Sequence, residues 1–239
     1  MQRANNRSNK ELRGIKFTRN FTKHAQGSVL TEFGDTKVIV TATVEEKQPR
    51  WLKDSGQGWV SAEYSLLPSS TNTRVSRDRG TNLSGRTQEI QRLIGRSLRG
   101  CIDLTKLGER TITIDADVIQ ADGGTRKASI SGGFVALCDA VQYLLDNNLI
   151  EENPILANIG AISAGLIDNE VLLDLDYSED STAQVDCNVV MNSKGEIIEF
   201  QSTAEGAPFN KAQLTELLDT CESGIKKIFE IQNKTLRNN

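Results

Sequence analysis

Along the first 45 residues, apolar and polar positions alternate with the period of a β-strand. Ser28-Val29-Leu30-Thr31-Glu32-Phe33, the pair Gly34-Asp35, and Thr36-Lys37-Val38-Ile39-Val40-Thr41-Ala42-Thr43-Val44 predict a hairpin with a two-residue turn. Residues 47 to 84 change character. Trp51, Trp59, Pro49, Pro68 and the run Ser69-Ser70-Thr71-Asn72-Thr73-Arg74 read mostly as loop there, and a loop of that length marks a functional or interaction surface. From Gly85 to Gly100 the period becomes helical, with Ile90, Leu93, Ile94, Ser97 and Leu98 on one face and Arg92, Arg96 and Arg99 on the other. Thr111 to Gln120 alternates like a strand. It leads into Ala121-Asp122-Gly123-Gly124-Thr125-Arg126 and a helix carrying Ile130, Phe134, Leu137, Val141, Leu144 and Leu145.

The polar stretch Glu151-Glu152-Asn153-Pro154 reads as a seam, after which the layout repeats. Ile155 to Leu166 is strand-like, and an Asp168-Asn169 turn leads into Val171-Leu172-Leu173-Asp174-Leu175-Asp176. Val185 to Met191 and Ile197 to Thr203 form a hairpin around Asn192-Ser193-Lys194-Gly195. A closing helix over 211–235 bears Leu214, Leu217, Leu218, Cys221, Ile225 and Ile228. Strands followed by helices, twice, predict an α+β fold with similar halves at about 1–150 and 154–239.

Composition narrows the functional classes. With 37% hydrophobic and 25% charged residues in 239, the chain is long enough to bury a substantial core. No apolar run approaches the ~18 residues of a membrane span. Met1 to Arg7 is polar, without the apolar segment of a secretory signal, so the expected location is cytoplasmic. Cys101, Cys138, Cys187 and Cys221 are scattered with no Cys-x-x-Cys pair, which argues against zinc or redox chemistry. His24 is the single histidine, so any triad, Cys–His pair or His-rich metal site would have to use it; between Lys23 and Ala25 it reads as a surface or structural residue. The net charge of −4 is no guide to a nucleic-acid partner, which responds to local basic surface. Arg74, Arg77, Arg79, Arg86, Arg92, Arg96 and Arg99 are bunched in one region.

Two segments carry candidate chemistry. In Gly123-Gly124-Thr125-Arg126, paired glycines bring backbone N–H groups close to a ligand. The helix start adds unpaired donors, Thr125 a hydroxyl, and Arg126 a fork that matches phosphate oxygens. No Walker A sequence is present, so triphosphate hydrolysis is not implied. The alternative is a plain Gly-rich turn with a surface arginine. Arg86 stands at a helix start, against the macrodipole, as an anion-binding cation would. Asp180 and Asp186 flank a segment whose turning would let them converge as hard ligands for Mg²⁺ or Mn²⁺. With Asp174, Asp176 and Glu179 they read equally as a solvated acidic edge, and the arginine stripe as a solvated helix face. Taken together, cradle, arginines and carboxylates fit phosphoryl or nucleotidyl transfer.

Several ordered blocks resemble the bacterial ribonuclease PH family along nearly the whole chain. They include Thr22-Lys23-His24-Ala25, Glu32-Phe33-Gly34-Asp35-Thr36-Lys37-Val38, Gly56-Gln57-Gly58-Trp59 and Ala62-Glu63-Tyr64. More specific are Gly85-Arg86-Thr87-Gln88-Glu89-Ile90-Gln91-Arg92-Leu93-Ile94, Gln120 through Arg126, Glu179-Asp180-Ser181 and Thr203-Ala204-Glu205-Gly206-Ala207-Pro208-Phe209. The resemblance implies a single ribonuclease PH-type domain over 1–239, with two βαβα-type halves (ribosomal protein S5 domain 2-like) in one compact protomer. It implies a homo-hexameric ring, a trimer of dimers. Inorganic phosphate would be held by Arg86, Gly124, Thr125 and Arg126, and Asp180 and Asp186 would be catalytic and hold Mg²⁺ or Mn²⁺. The implied activity is phosphorolytic trimming of tRNA-precursor 3′ ends, releasing nucleoside diphosphates, and the reverse addition of nucleotides. Arg74, Arg77, Arg92, Arg96 and Arg99 would guide RNA or brace the ring.

One departure stands out. Where family members commonly begin Arg-x-Asp-Gly-Arg, this chain has Arg3-Ala4-Asn5-Asn6-Arg7, a change in packing or subunit contacts outside the expected site. Three rivals remain at this point: a silent ring subunit that binds RNA, a metabolic enzyme using the same turn for phosphate, and a hydrolytic nuclease.

Overall fold

The computed structural model describes Arg3 and residues 6–78 and 83–237. Arg79 of the basic cluster, and Ala4 and Asn5 of the N-terminal departure, lie outside the described residues. The first half builds a five-stranded sheet from β1 (Ile15–Arg19), β2 (Gly27–Phe33), β3 (Thr36–Glu45), β4 (Trp59–Leu66) and β5 (Thr111–Gln120), in the order β1-β2-β3-β5-β4. The hairpin β2–β3 turns at Gly34, whose φ of 58° a side chain would resist. Helix α1 (Gly85–Arg99) is the crossover from β4 to its parallel neighbour β5. The second half pairs β6 (Ile159–Ile167), β7 (Glu170–Leu173), β8 (Val185–Asn192) and β9 (Ile197–Ala204) antiparallel, in the order β7-β6-β8-β9. Asp168 and Asn169, both at positive φ, form the β6–β7 turn.

Helix α2 (Thr125–Asp146) runs through the middle, against β2 and β3 of one sheet and β6 of the other. A contiguous core of buried residues draws on both halves. Close approach decides two positions: a Cβ on Gly132 would lie 1.9 Å from Thr31 Oγ1, and one on Gly27 2.0 Å from the Ala136 carbonyl oxygen. By length and composition α2 could cross a bilayer, contrary to the expectation that no stretch comes near that. Most of it is buried within the fold, as a core helix is. Helix α4 (Lys211–Arg237) packs on β6, β7 and β1.

The two-part α+β layout is as expected, and one expectation needs correcting. The segment read mostly as loop contains β4, eight residues hydrogen-bonded along β5. Within the second half α3 (Tyr177–Asp180) is a single turn where the first half has the fifteen-residue α1.

On the outer face of the first sheet Glu63 lies directly opposite Asp115, with Asp117 nearby. Desolvation raises the Asp115 pKa above the ordinary carboxylate value, and repulsion from Glu63 and Asp117 adds to it. A folded-state pKa raised above the unfolded one costs stability above the folded pKa, a cost that disappears as pH falls below the unfolded value. Asp115→Asn is therefore expected to raise the urea midpoint near pH ~7, the gain shrinking toward pH ~4. A gain that persisted at the acid end would rule out this origin.

Candidate active site

The site is assembled where β5 passes into α2. The Ala121 amide donates to the Ser70 carbonyl at 2.8 Å and the Asp122 amide to Thr36 Oγ1 at 2.9 Å, while Thr36 Oγ1 donates to the Gly123 carbonyl at 2.6 Å. Gly123 and Gly124 follow at φ 70° and 76°, the left-handed region. A Cβ on Gly123 would lie 2.8 Å from the Leu175 carbonyl oxygen, so that place has no room for a side chain; at Gly124, where a Cβ would meet only the end of the Arg13 side chain at 2.9 Å, it is the left-handed φ that favours glycine. No side chain caps α2 and no acidic residue stands in its first turn, which leaves the first-turn N–H groups and the positive end of the dipole for an anion.

Around that helix start lies a cavity of about 590 Å³. Arg86, Gly124, Thr125, Arg126, Asp180 and Asp186 all line it, so residues far apart in sequence share one site. Thr125 Oγ1 lies 2.9 Å from the buried Tyr64 hydroxyl, which fixes its rotamer. Desolvation raises the Tyr64 pKa, opposed by the Thr125 bond and by Arg86 and Arg126, so the phenol stays protonated. Arg126 spans from α2 to Glu89 Oε1 on α1 (3.1 Å) and Gln201 Oε1 on β9 (3.3 Å). Arg86 is exposed, one residue into α1; Ser84 caps that helix, its Oγ accepting from the Thr87 amide at 3.2 Å.

The carboxylates arrive from the second half. Asp180 ends α3, which is closed by a reciprocal pair between Asp176 and Glu179. Asp186 lies on β8, its Oδ2 accepting from Asn188 Nδ2 at 2.7 Å, while its buried Oδ1 has no hydrogen-bond partner. Desolvation raises the Asp180 pKa and Asp186 adds to it, with Lys127 pulling the other way. Among the described residues no three His, Cys, Asp or Glu side chains cluster to hold a metal. The fit for a divalent cation is thus two hard carboxylates, one with an uncommitted oxygen, and the remaining positions left to water and phosphate oxygens.

Four residues to which the sequence reading gave no role belong here. Lys127 is buried, donates to Asn188 Oδ1 at 3.0 Å, and forms with Asn188 and Asp186 a short polar chain. Tyr64 was visible only within a family block. Arg13 underpins the turn, donating to the Asp122 carbonyl at 2.5 Å and pairing with buried Asp174 at 2.7 Å. Arg74, Arg77, Arg92, Arg96 and Arg99 do not line the cavity. Arg99 donates to the Val60 carbonyl at 2.9 Å and lies 4.2 Å over the Trp59 ring, and Arg96 pairs with Glu199 at 2.7 Å. Arg74, Arg77 and Arg92 are exposed, and so is His24.

Left-handed glycines before an uncapped helix, arginines and a facing carboxylate pair thus share one cavity of a two-sheet α+β fold. Residues 11–142 match domain 1 of the 3′ exoribonuclease family (RNase PH) and residues 157–224 match its domain 2; the chain belongs to that family. Two solved structures share the fold. Rice (Oryza sativa) Rrp46 superposes with a TM-score of 0.77 at 20% identity, over 98% of this chain and all of that one. A chain of the Archaeoglobus fulgidus exosome with RNA bound to the active site superposes with a TM-score of 0.79 at 20% identity, over 96% of this chain and 92% of that one.

Proposed function

We propose that the chain is a phosphorolytic 3′-to-5′ exoribonuclease of the bacterial ribonuclease PH type. It would trim tRNA precursors in the cytoplasm as a homo-hexamer, with the reverse nucleotidyl transfer available. The observation that carries this is the convergence of an anion cradle and a carboxylate pair in one cavity. Inorganic phosphate, as co-substrate, sits against the α2 amides, Thr125, Arg126 and Arg86. One of its oxygens attacks the phosphorus of the last phosphodiester. A P–O bond forms as the bond to the 3′ oxygen breaks, the shortened RNA leaves with a 3′ hydroxyl protonated from water, and a nucleoside diphosphate departs. Asp180 and Asp186 would hold a Mg²⁺ or Mn²⁺ ion, which when bound would supply charge neutralisation at the reacting phosphate. No histidine base is needed, because the nucleophile is already an anion.

The cradle and both aspartates are present, which favours an enzyme over a silent ring subunit. The deciding experiment follows RNA shortening from the 3′ end with Mg²⁺, with and without inorganic phosphate, and identifies the released nucleotide. Phosphate-dependent release of nucleoside diphosphates is the expected result. Nucleoside monophosphates released without phosphate would mean hydrolysis, and RNA binding with no release would mean a scaffold subunit.

A further inference from the structure

The cavity holds more than an anion requires. Besides the cradle and the aspartates it presents Leu66, Val75 and Ala121, and Tyr177, 55% exposed, is part of its lining. Inorganic phosphate has no apolar surface to set against these groups, whereas a nucleobase has two apolar faces. An aromatic side chain left that open gains little for the core.

Tyr177 is nevertheless fixed at its base. It opens α3, whose capping pair closes the turn, and its amide donates to Asp122 Oδ1 at 3.4 Å. Glu179 in the same turn is held by Arg3 Nε at 2.7 Å and Arg7 Nη2 at 3.2 Å. The missing side chain at Gly123 lets the chain at residues 175–177 pass directly over the cradle. The ring thus stands on a short element tied to both the N-terminal segment and the phosphate turn. Tyr177 and Asp180 are separated by three residues, about 4.5 Å along the helix axis. The base within reach of the ring is therefore that of the nucleotide whose phosphate lies at the carboxylates.

We propose that Tyr177 is the stacking platform for the nucleobase of the 3′-terminal nucleotide, the one being removed. This rests on the exoribonuclease reading above and adds a base subsite to it. Every base offers a π-face, so the platform holds the end of the strand without choosing among sequences.

The test uses the full-length protein and an RNA oligonucleotide with 2-aminopurine at its 3′ end, first without phosphate so that nothing turns over. Binding is expected to quench the fluorophore in the wild type and in Tyr177→Phe, but not in Tyr177→Leu. With phosphate present, Tyr177→Leu is expected to raise the KM for RNA by about 5- to 150-fold. The KM for phosphate should stay within about 2-fold, with Tyr177→Phe near wild type. Equal quenching and an unchanged RNA KM in Tyr177→Leu would overturn the platform. The fluorescence arm is independent of the reaction. A wild type that quenches through Tyr177 but releases no nucleoside diphosphate overturns phosphorolysis and keeps the platform; one that turns over normally, with Tyr177→Leu indistinguishable, overturns the platform alone.

Discussion

Arg126→Ala is expected to lower kcat/KM for phosphate by about 100- to 1,000-fold, the effect of removing one preorganised charged donor from a site of this kind. Binding of RNA in the absence of phosphate should change little. The two effects separate because Arg126 stands in the first turn of α2 beside the cradle, reaching only to Glu89 and Gln201, both outside the core. The Arg126 side chain is 16% exposed, so its truncation also uncovers packed surface, and the stability read from urea unfolding should fall by about 1 kcal/mol, far too little to unfold the protein. Arg126→Lys keeps the charge without the planar fork and should recover only part of the loss, about tenfold below wild type. A phosphate KM that stayed at its wild-type value in both variants would remove Arg126 from the cradle and with it the central argument for phosphorolysis.

How much of this could be read from the chain depends on the range of the interactions. The β2–β3 and β8–β9 hairpins and helices α1, α2 and α4 announce themselves, because their buried positions recur at the period of the element. β4 does not. It is an edge strand that does carry the strand period, Val60, Ala62, Tyr64 and Leu66 alternating with Ser61, Glu63 and Ser65, but this short run sits among Gly-, Pro- and Ser-rich loop sequence that masks it. α3 is too short to show any period. Its readable sign was the Asp176…Glu179 spacing of a capping pair, which the acidic surroundings disguised.

The site divides the same way. Gly123-Gly124-Thr125-Arg126 is a local motif and stood out, and the two aspartates stood out as residue types. That Asp180 and Asp186 face α2 follows from how the second sheet packs, which no spacing encodes. Arg99 looked like part of an exposed basic stripe, yet it lies over Trp59, forty residues earlier in the chain. Lys127 and Arg13 carry no local sign of their burial, since charged side chains ordinarily lie at the surface. Each is buried only because a partner comes from the other half of the chain, Asn188 and Asp174 respectively.

Arg13 therefore bears the largest expected effect on stability. Its Nη2 lies 2.7 Å from Asp174 Oδ1 and its Nε 3.1 Å from Oδ2, and both side chains are almost fully buried. Burial works against the charged guanidinium, but the charge and hydrogen bonds of Asp174 outweigh it and leave the Arg13 pKa above its ordinary value. Arg13→Met strands a buried carboxylate and is expected to cost about 3–5 kcal/mol, read from urea unfolding. It also releases the Asp122 carbonyl, so the Gly123–Gly124 turn loses an anchor and the phosphate KM should rise. A second substitution separates the two roles. Asp174→Asn keeps a side chain that tolerates the positive φ of 55° at that position while removing the stranded charge. The double variant Arg13→Met/Asp174→Asn should regain much of the stability and none of the phosphate affinity, because the carbonyl anchor is still missing. Recovery of both together would mean that Arg13 serves the site only by keeping the protein folded.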